Sequence, residues 1–223
     1  MESINAYLQV IQRIAAAENR AGRIDHATLI AVSKFQPIEK IMELYAQGQR
    51  IFGENYVQEL IEKKSALQEK GYEDIDFHFI GHLQSNKVKS LLPHVTAIHS
   101  VDSLKLLLEI EKQAALLQKE IRVFFQLNLD DEETKGGFAE RDLDSLSLEF
   151  SKLKFTKLAG WMVIPDPKSD PREAFIKLKL IARNYQDRVS PGLSMGMSDD
   201  YELAVEIGAT FVRVGSAIFG QRG

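Results

Sequence analysis

Apolar residues along this chain follow two spacings that alternate from one end to the other. Short runs of β-branched and aromatic residues are separated by longer stretches in which apolar residues recur every three to four positions, as on one face of a helix. The short runs predict eight strands, at residues 28–32, 50–52, 77–80, 97–99, 123–127, 158–162, 193–195 and 211–214. Eight strands that alternate with helices are the number that closes a parallel barrel, so we expect an α/β fold, a single (β/α)8 TIM barrel.

One more helical pattern precedes the first predicted strand. Four apolar residues recur there at helical spacing: Ile4, Leu8, Ile11 and Ala15. They predict an extra N-terminal helix within residues 1–21 that flanks the barrel. No linker rich in proline, glycine or serine divides the chain, and a barrel of this class reaches such a length as one unit. Residues 1–223 are therefore expected to form a single domain.

Composition narrows the classes of function. The formal net charge of −4 and the pI near 5.8 argue against a general attraction to nucleic acid or to an anionic membrane. The absence of cysteine excludes disulfides, thiolate metal sites and cysteine nucleophiles, and the histidines lack metal-ligand spacing. The first residues do not resemble a signal peptide, and no apolar stretch is long enough to cross a bilayer. We therefore expect a cytoplasmic protein with no metal, no membrane and no nucleic-acid partner.

Lys34 follows the first predicted strand and is the first candidate for chemistry. In a barrel of this class, functional groups collect at the carboxyl ends of the strands. If Ile30 and Val32 point into the barrel, two-residue alternation places Lys34 on the same side, at the mouth. A partly desolvated lysine is a competent amine nucleophile toward a carbonyl, although an ordinary solvated lysine gives the same sequence pattern.

A second candidate site follows the seventh and eighth predicted strands. Small residues there let backbone amides and hydroxyls approach an anion, where this barrel class binds phosphate. They are Ser194, Gly196, Ser198, Gly215 and Ser216. The alternative is helix capping, because Asp199 with Glu202 three residues later resembles a capping box. An amine at one end and a phosphate cradle at the other both fit pyridoxal 5'-phosphate (PLP), which carries an aldehyde and a phosphate.

Arg213 is the third candidate, because it lies between Val212 and Val214 and would face the barrel interior if these valines face the helices. A pyridine nitrogen could accept its hydrogen bond, and since arginine gives up no proton, the ring would stay unprotonated and become a weaker electron sink. The alternative is a structural ion pair, for example with Glu54. The histidines at positions 78 and 99 are interpreted as satisfied core or rim residues.

Five longer motifs closely resemble the pyridoxal phosphate homeostasis protein family and together cover nearly the whole chain. The motifs are AVSK at 31–34, FGENYVQE at 52–59, HFIGHLQSNK at 78–87, LSMGMSDD at 193–200 and VRVGSAIFG at 212–220. Their length and their order along the chain make the resemblance highly specific.

This resemblance implies a barrel similar to the N-terminal domain of alanine racemase. It implies an internal aldimine between PLP and Lys34, with Arg213 near the ring nitrogen and Asn55 near the ring face or its hydroxyl. The phosphate is expected among Ser194, Met197, Ser198, Gly215 and Ser216. The family is thought to bind, buffer or deliver PLP in vitamin B6 homeostasis without an established catalytic reaction, so we predict no catalytic residue.

Two positions depart from the family pattern. Trp161 stands where a smaller aliphatic residue is more usual, which predicts different packing below that loop. Gly136 stands where a serine is usual, in the loop that contains Lys135, and this puts any role for Lys135 in doubt.

A cofactor carrier and an enzyme of the racemase type are the main alternatives. A racemase needs an acid–base group on each face of the substrate carbon, and in alanine racemases a second domain of a partner subunit supplies one of them. The sequence ends at Gly223, three residues past Gly220, which favours a carrier without that domain. The expected ligands are PLP and amino acids, the expected acceptors are apo forms of PLP enzymes, and the expected state is a monomer. A barrel aldolase and a pure interaction module are further alternatives.

Overall fold

The strands form a closed parallel barrel in which neighbours in sequence are neighbours in space. The computed structural model describes residues 2–129, 136–186 and 192–220. The strands are β1 Thr28–Val32, β2 Ile51–Glu54, β3 Asp76–Phe79, β4 Ala97–Val101, β5 Ile121–Gln126, β6 Thr156–Met162, β7 Gly192–Ser194 and β8 Phe211–Val214. Strand β8 pairs in parallel with β1 and closes the barrel. All eight predicted strands are present, which confirms the predicted (β/α)8 fold.

Helices cover the outside of the barrel. They are α1 Glu2–Arg20, α2 Ile38–Tyr45, α3 Val57–Glu69, α4 Val88–Leu91, α5 Leu104–Leu117, α6 Leu143–Phe150, α7 Pro171–Asn184, α8 Tyr201–Ile207 and α9 Ser216–Phe219. Helix α1 precedes the barrel, as predicted, and packs against α2, α8 and α9.

The buried face of α1 differs from the apolar face predicted for it. Leu8 and Ile11 are 42% and 38% exposed, whereas Tyr7, Val10 and Ile14 are buried. Both sets have helical spacing, so periodicity alone does not choose between them. The structure buries the face that carries the aromatic side chain of Tyr7. The hydroxyl of Tyr7 donates to Oε1 of the buried Gln49 at 3.4 Å.

The direction of side chains along β1 and β2 decides what enters the barrel. A side-chain carbon placed at Gly53 would lie 2.8 Å from Ile30 and 3.0 Å from Ile80, so these two isoleucines meet over Gly53 inside the barrel. Because side chains alternate along a strand, Val32 and Lys34 share the inward face with Ile30. Glu54 then points outward, toward the helices.

Trp161 lies in the apolar layer between strands and helices. Its side chain is buried and packs on the rings of Phe125 and Tyr185, with centroids 6.0 Å and 5.5 Å away. The indole Nε1 is buried and has no hydrogen-bond partner among the described residues. Lys135 lies outside the described residues.

Candidate functional site

An open cavity of about 450 Å³ lies at the carboxyl ends of the barrel strands. It collects side chains from β1, from the turns after β2 and β7, and from β8 and the start of α9. Of the nine predicted site residues, seven line it: Lys34, Asn55, Met197, Ser198, Arg213, Gly215 and Ser216. The structure thus brings together residues from the two ends of the chain in one cavity.

Lys34 is half-buried, and helix α3 holds the backbone on either side of it. The carbonyl of Ser33 accepts a hydrogen bond from Lys63 Nζ at 2.6 Å, and the amide of Phe35 donates to Glu59 Oε1 at 2.5 Å. Phe35 has a φ of 62°, a left-handed conformation that a bulky residue adopts only where its surroundings impose it. These contacts fix the direction in which Lys34 leaves the strand.

A buried ion pair between β2 and α3 underlies this arrangement. Lys63 Nζ lies 2.7 Å from Oε1 of both Glu54 and Glu59, and Ser33 Oγ donates to Glu54 Oε1 at 2.7 Å. Burial raises the pKa of the Glu54 carboxyl, and the positive charge of Lys63 opposes this shift. The alternative that Glu54 pairs with Arg213 is wrong, because Glu54 faces the helices and Arg213 faces the interior.

Sequence reasoning missed Lys63 altogether. The one available signal is its spacing of four residues from Glu59, which exposed pairs on helix surfaces share. Its side chain is only 8% exposed, and three oxygens surround its ammonium group.

Arg213 reaches the cavity from inside the barrel, as its position between two valines predicts. Its Nη1 donates to Ser194 Oγ at 2.7 Å, and its Nη2 donates to the carbonyl of Val163 at 3.0 Å. Burial lowers the pKa of the guanidinium to about 10, and the charge of Asp200 acts in the opposite direction. Arg213 is therefore still a cation at neutral pH.

Ser194 and Gly196 do not line the cavity. Ser194 Oγ is buried, receives the hydrogen bond from Arg213 and lies 2.8 Å from His99 Nδ1, so the predicted phosphate role does not fit its position. Gly196 has a φ of 90°, and a side-chain carbon there would lie 2.6 Å from Cβ of Ala204. Gly196 therefore allows close packing of α8.

Hydroxyls and backbone amides meet at the start of α9. Ser198 Oγ accepts hydrogen bonds from the amides of Gly215 and Ala217, both at 3.2 Å. The hydroxyl-bearing residues Ser198 and Ser216 line the same cavity, together with the glycine between β8 and α9. This is where the sequence predicts the phosphate cradle.

The capping-box alternative is not what the structure shows. Helix α8 begins at Tyr201, its cap residue is Asp200, and this carboxylate makes no capping bond to the helix. Asp200 Oδ1 instead accepts from the amide of Met197 at 2.6 Å, which ties its charge to the loop backbone. Asp199 is exposed at the edge of the cavity.

Asn55 carries an unsatisfied acceptor. Its Oδ1 is buried without a hydrogen-bond partner in the described part of the chain, although the residue lines the cavity. The backbone of Asn55 is fixed by contact with Gly81, where a side-chain carbon would lie 2.2 Å from the Asn55 carbonyl oxygen. A ligand that presents a donor to Asn55 would remove the cost of this buried acceptor.

Gly81→Ala is expected to destabilise the protein by about 2 kcal/mol, because the new methyl group must displace the backbone of Asn55. Urea unfolding measures this loss directly. Asn55→Ala is the matched control, since it removes the side chain without forcing the backbone to move and should change stability by less than about 1 kcal/mol. A Gly81→Ala protein as stable as the wild type would contradict the close approach.

The described ranges contain neither a membrane-spanning helix nor a cluster of metal ligands. None of their helices is both long and apolar enough to span a bilayer. No cluster of three or more histidine, aspartate or glutamate side chains in these ranges could hold a metal ion.

Comparison with known proteins identifies first the type of barrel and then the family of this chain. The family model for the alanine racemase N-terminal domain matches residues 8–223. Alanine racemase from Corynebacterium glutamicum shares the fold, with 17% identity, a TM-score of 0.66, and coverage of 95% of this chain and 60% of that one. The fold and cavity therefore define a barrel of the alanine racemase N-terminal type.

Full-length relatives are more specific. The pyridoxal phosphate homeostasis protein of Escherichia coli K12 is 39% identical over 220 residues, which cover 96% of this chain and 94% of the relative. The structure of PipY from Synechococcus elongatus with PLP bound is 35% identical, with a TM-score of 0.82 and coverage of 94% and 99%. The chain belongs to the pyridoxal phosphate homeostasis protein family, which confirms the resemblance seen in its motifs.

Proposed function

We propose that this protein binds PLP in the cavity at the barrel mouth, attaches it through Lys34, and serves intracellular vitamin B6 homeostasis. One observation carries the proposal: a single cavity joins an amine from the first strand to a guanidinium and two serine hydroxyls from the last strands. The PLP-bound structure of PipY and the names of the curated relatives support it.

The chemistry of the cavity residues fits PLP. Lys34 would supply the amine for attachment to the aldehyde, with loss of water. Ser198 and Ser216 offer hydroxyl donors for the phosphate, and Asn55 Oδ1 offers a buried acceptor for the ring hydroxyl. Arg213 has N–H donors beyond the two already used, and a pyridine nitrogen is an acceptor.

The charge of Arg213 favours storage over transamination. When bound, PLP supplies an aldehyde carbon for covalent attachment and a conjugated ring that can draw electrons from it. A guanidinium with a pKa of about 10 holds its proton at neutral pH, so Arg213 would donate a hydrogen bond to the ring nitrogen without transferring a proton to it. An unprotonated ring is a weak electron sink, which suits a carrier.

The alternative is an amino-acid racemase. Apart from Lys34, the titratable side chains that line the cavity within the described ranges are Asp199 and Arg213. Arginine does not give up its proton near neutral pH, and Asp199 is exposed at the rim. Within the described ranges this chain therefore offers Lys34 but no second buried acid–base group at the cavity, whereas racemisation requires one on each face of the substrate carbon.

Carrier and racemase are separated by measuring stoichiometry and turnover on the same sample. Wild-type protein freed of excess PLP is expected to retain equimolar PLP with the absorption of a covalent adduct. Conversion of L- to D-amino acids across a panel should not exceed that of Lys34→Ala. Sustained conversion by the wild type alone would establish the racemase alternative.

Four further features of the carrier role remain proposals from the sequence. They are a cytoplasmic location, a monomeric state, delivery of PLP to apo forms of PLP enzymes, and binding of amino acids as additional ligands.

A further inference from the structure

A chain of hydrogen bonds crosses the barrel interior below the cavity. Arg213 Nη1 lies 2.7 Å from Ser194 Oγ, which lies 2.8 Å from His99 Nδ1. His99 Nε2 lies 3.0 Å from His78 Nδ1, and His78 Nε2 lies 3.3 Å from Asp76 Oδ2. Arg213 is 5% exposed, and Ser194, His99 and His78 are fully buried. Because Asp76 begins β3, the chain runs from the cavity toward the amino-terminal rim.

The chemistry of each group gives this chain one direction. Arginine only donates, so Ser194 Oγ accepts from Arg213 and its hydroxyl hydrogen is left to donate to His99 Nδ1. A neutral imidazole has one donor and one acceptor, so His99 donates through Nε2 to His78 Nδ1. His78 then donates through Nε2 to the carboxylate of Asp76. Every donor points from the buried cation toward the anion.

If the hydrogen bonds ran in the opposite direction, the Ser194 hydroxyl would be left without an acceptor among the described residues. Such a chain would start from Arg122 Nη2, which lies 3.4 Å from His78 Nε2, and would make His99 donate to Ser194. The Ser194 hydroxyl hydrogen would then have no acceptor among the described residues, which is costly for a fully buried group. Arg122 does not need His78, because Thr96 Oγ1 accepts from it at 3.0 Å.

A doubly protonated histidine is also unfavourable in this setting. Burial lowers the pKa of His99 well below its usual value, and the nearby positive charges of Arg213 and Arg122 lower it further. The ring of His99 stacks on Phe124 with centroids 4.1 Å apart, which adds an apolar wall.

We propose that Ser194 and His99 are positioning residues for Arg213. His99 Nδ1 accepts a hydrogen bond from the Ser194 hydroxyl, so a lone pair of that oxygen is directed to Nη1 of Arg213. The carbonyl of Val163 holds Nη2 in the same way, at 3.0 Å. The guanidinium is thereby fixed at both ends, with its other N–H donors free of these two partners. The value of this arrangement for the ligand rests on the proposed function, in which Arg213 donates to the PLP ring nitrogen.

Nitrogen-15 NMR of the imidazole rings tests the chain without PLP. His99 is expected to be neutral from pH 6 to pH 8, with its ring proton on Nε2. Ser194→Ala should shift the Nδ1 signal of His99, because it removes the donor to that nitrogen, while exposed His26 keeps its wild-type signals. A proton on His99 Nδ1, or a charged His99 in this range, would overturn the proposal.

Variants test the effect on ligand retention. Ser194→Ala and His99→Phe should each weaken PLP binding about tenfold, since each loses one buried hydrogen bond on the path to Arg213. His99→Asn keeps an acceptor near the position of Nδ1 and should stay within about threefold of the wild type. His26→Gln is the control, because this histidine is 85% exposed, and it should bind PLP as the wild type does.

These outcomes distinguish failure of the positioning role of Ser194 and His99 from failure of the proposed PLP binding. Wild-type affinity in both Ser194→Ala and His99→Phe would overturn the positioning role even if PLP is retained on Lys34. If His99→Phe fails to fold, Ser194→Ala carries the test alone. If the wild type binds no PLP, the proposed function fails, and the NMR result still decides whether the chain of hydrogen bonds exists.

Discussion

Lys34→Ala is expected to abolish covalent attachment of PLP and to weaken its retention about a hundredfold, which corresponds to roughly 3 kcal/mol. The substitution removes the only amine among the residues that line the cavity in the described ranges. Contacts from Arg213 and the two serines remain, so reversible binding through the phosphate and the ring should persist. Equilibrium dialysis and the absorption spectrum together measure both effects.

Two controls separate the amine from other properties of Lys34. Lys34→Arg keeps a positive charge but offers no amine that forms an imine, so it should also lose the covalent adduct. Lys87→Ala removes an exposed lysine from a neighbouring cavity and should behave as the wild type does. A Lys34→Ala protein that keeps the covalent absorption band would show that another residue holds PLP.

Lys63→Met is expected to lower the free energy of unfolding by about 3 kcal/mol at pH 8, because it leaves the buried carboxylate of Glu54 without its partner. Lys63 also holds the Ser33 carbonyl at 2.6 Å, so the variant should retain PLP less well although it does not touch the cavity. Urea unfolding measures the first effect and dialysis the second. Lys112→Met is the control, since Lys112 is 67% exposed and forms only a 3.7 Å surface pair.

The loss of unfolding free energy caused by Lys63→Met should become smaller as the pH falls from 8 toward 5. Burial already raises the pKa of Glu54, and loss of Lys63 removes the largest opposing cause. A carboxyl whose pKa is higher in the folded state binds its proton more tightly there, so folding is favoured as the pH falls through that raised value. A second substitution, Glu54→Leu, should recover most of the stability at pH 8. An equal deficit at both pH values would contradict this account.

The sequence carries most of the information on the barrel and on the cavity. The period-2 runs place the strands, and residues that follow them must lie at one end of a parallel barrel. Lys34 and Arg213 could therefore be assigned to the same mouth although they lie at opposite ends of the chain. Alternation along each strand gave the inward direction of both side chains, because the period of a strand is fixed by its geometry.

Contacts between side chains of different strands and helices could not be predicted in the same way. Alternation says which side chains enter the barrel, but the stagger between strands decides which of them touch. Ser194 was expected on the phosphate, whereas the register of β7 and β8 places its hydroxyl next to Arg213 and His99. Lys63 lies on a helix whose rotation against the barrel follows from packing, and a lysine at that spacing is usually exposed.

Attachment of PLP to Lys34 can be tested directly. Borohydride reduction of the PLP-loaded protein fixes the adduct, and peptide mass mapping then identifies the modified lysine among all those in the chain. We expect a pyridoxyl group on the peptide that contains Lys34, at near-equimolar yield, and none on Lys87. A label spread over exposed lysines, or concentrated on any other one, would contradict it.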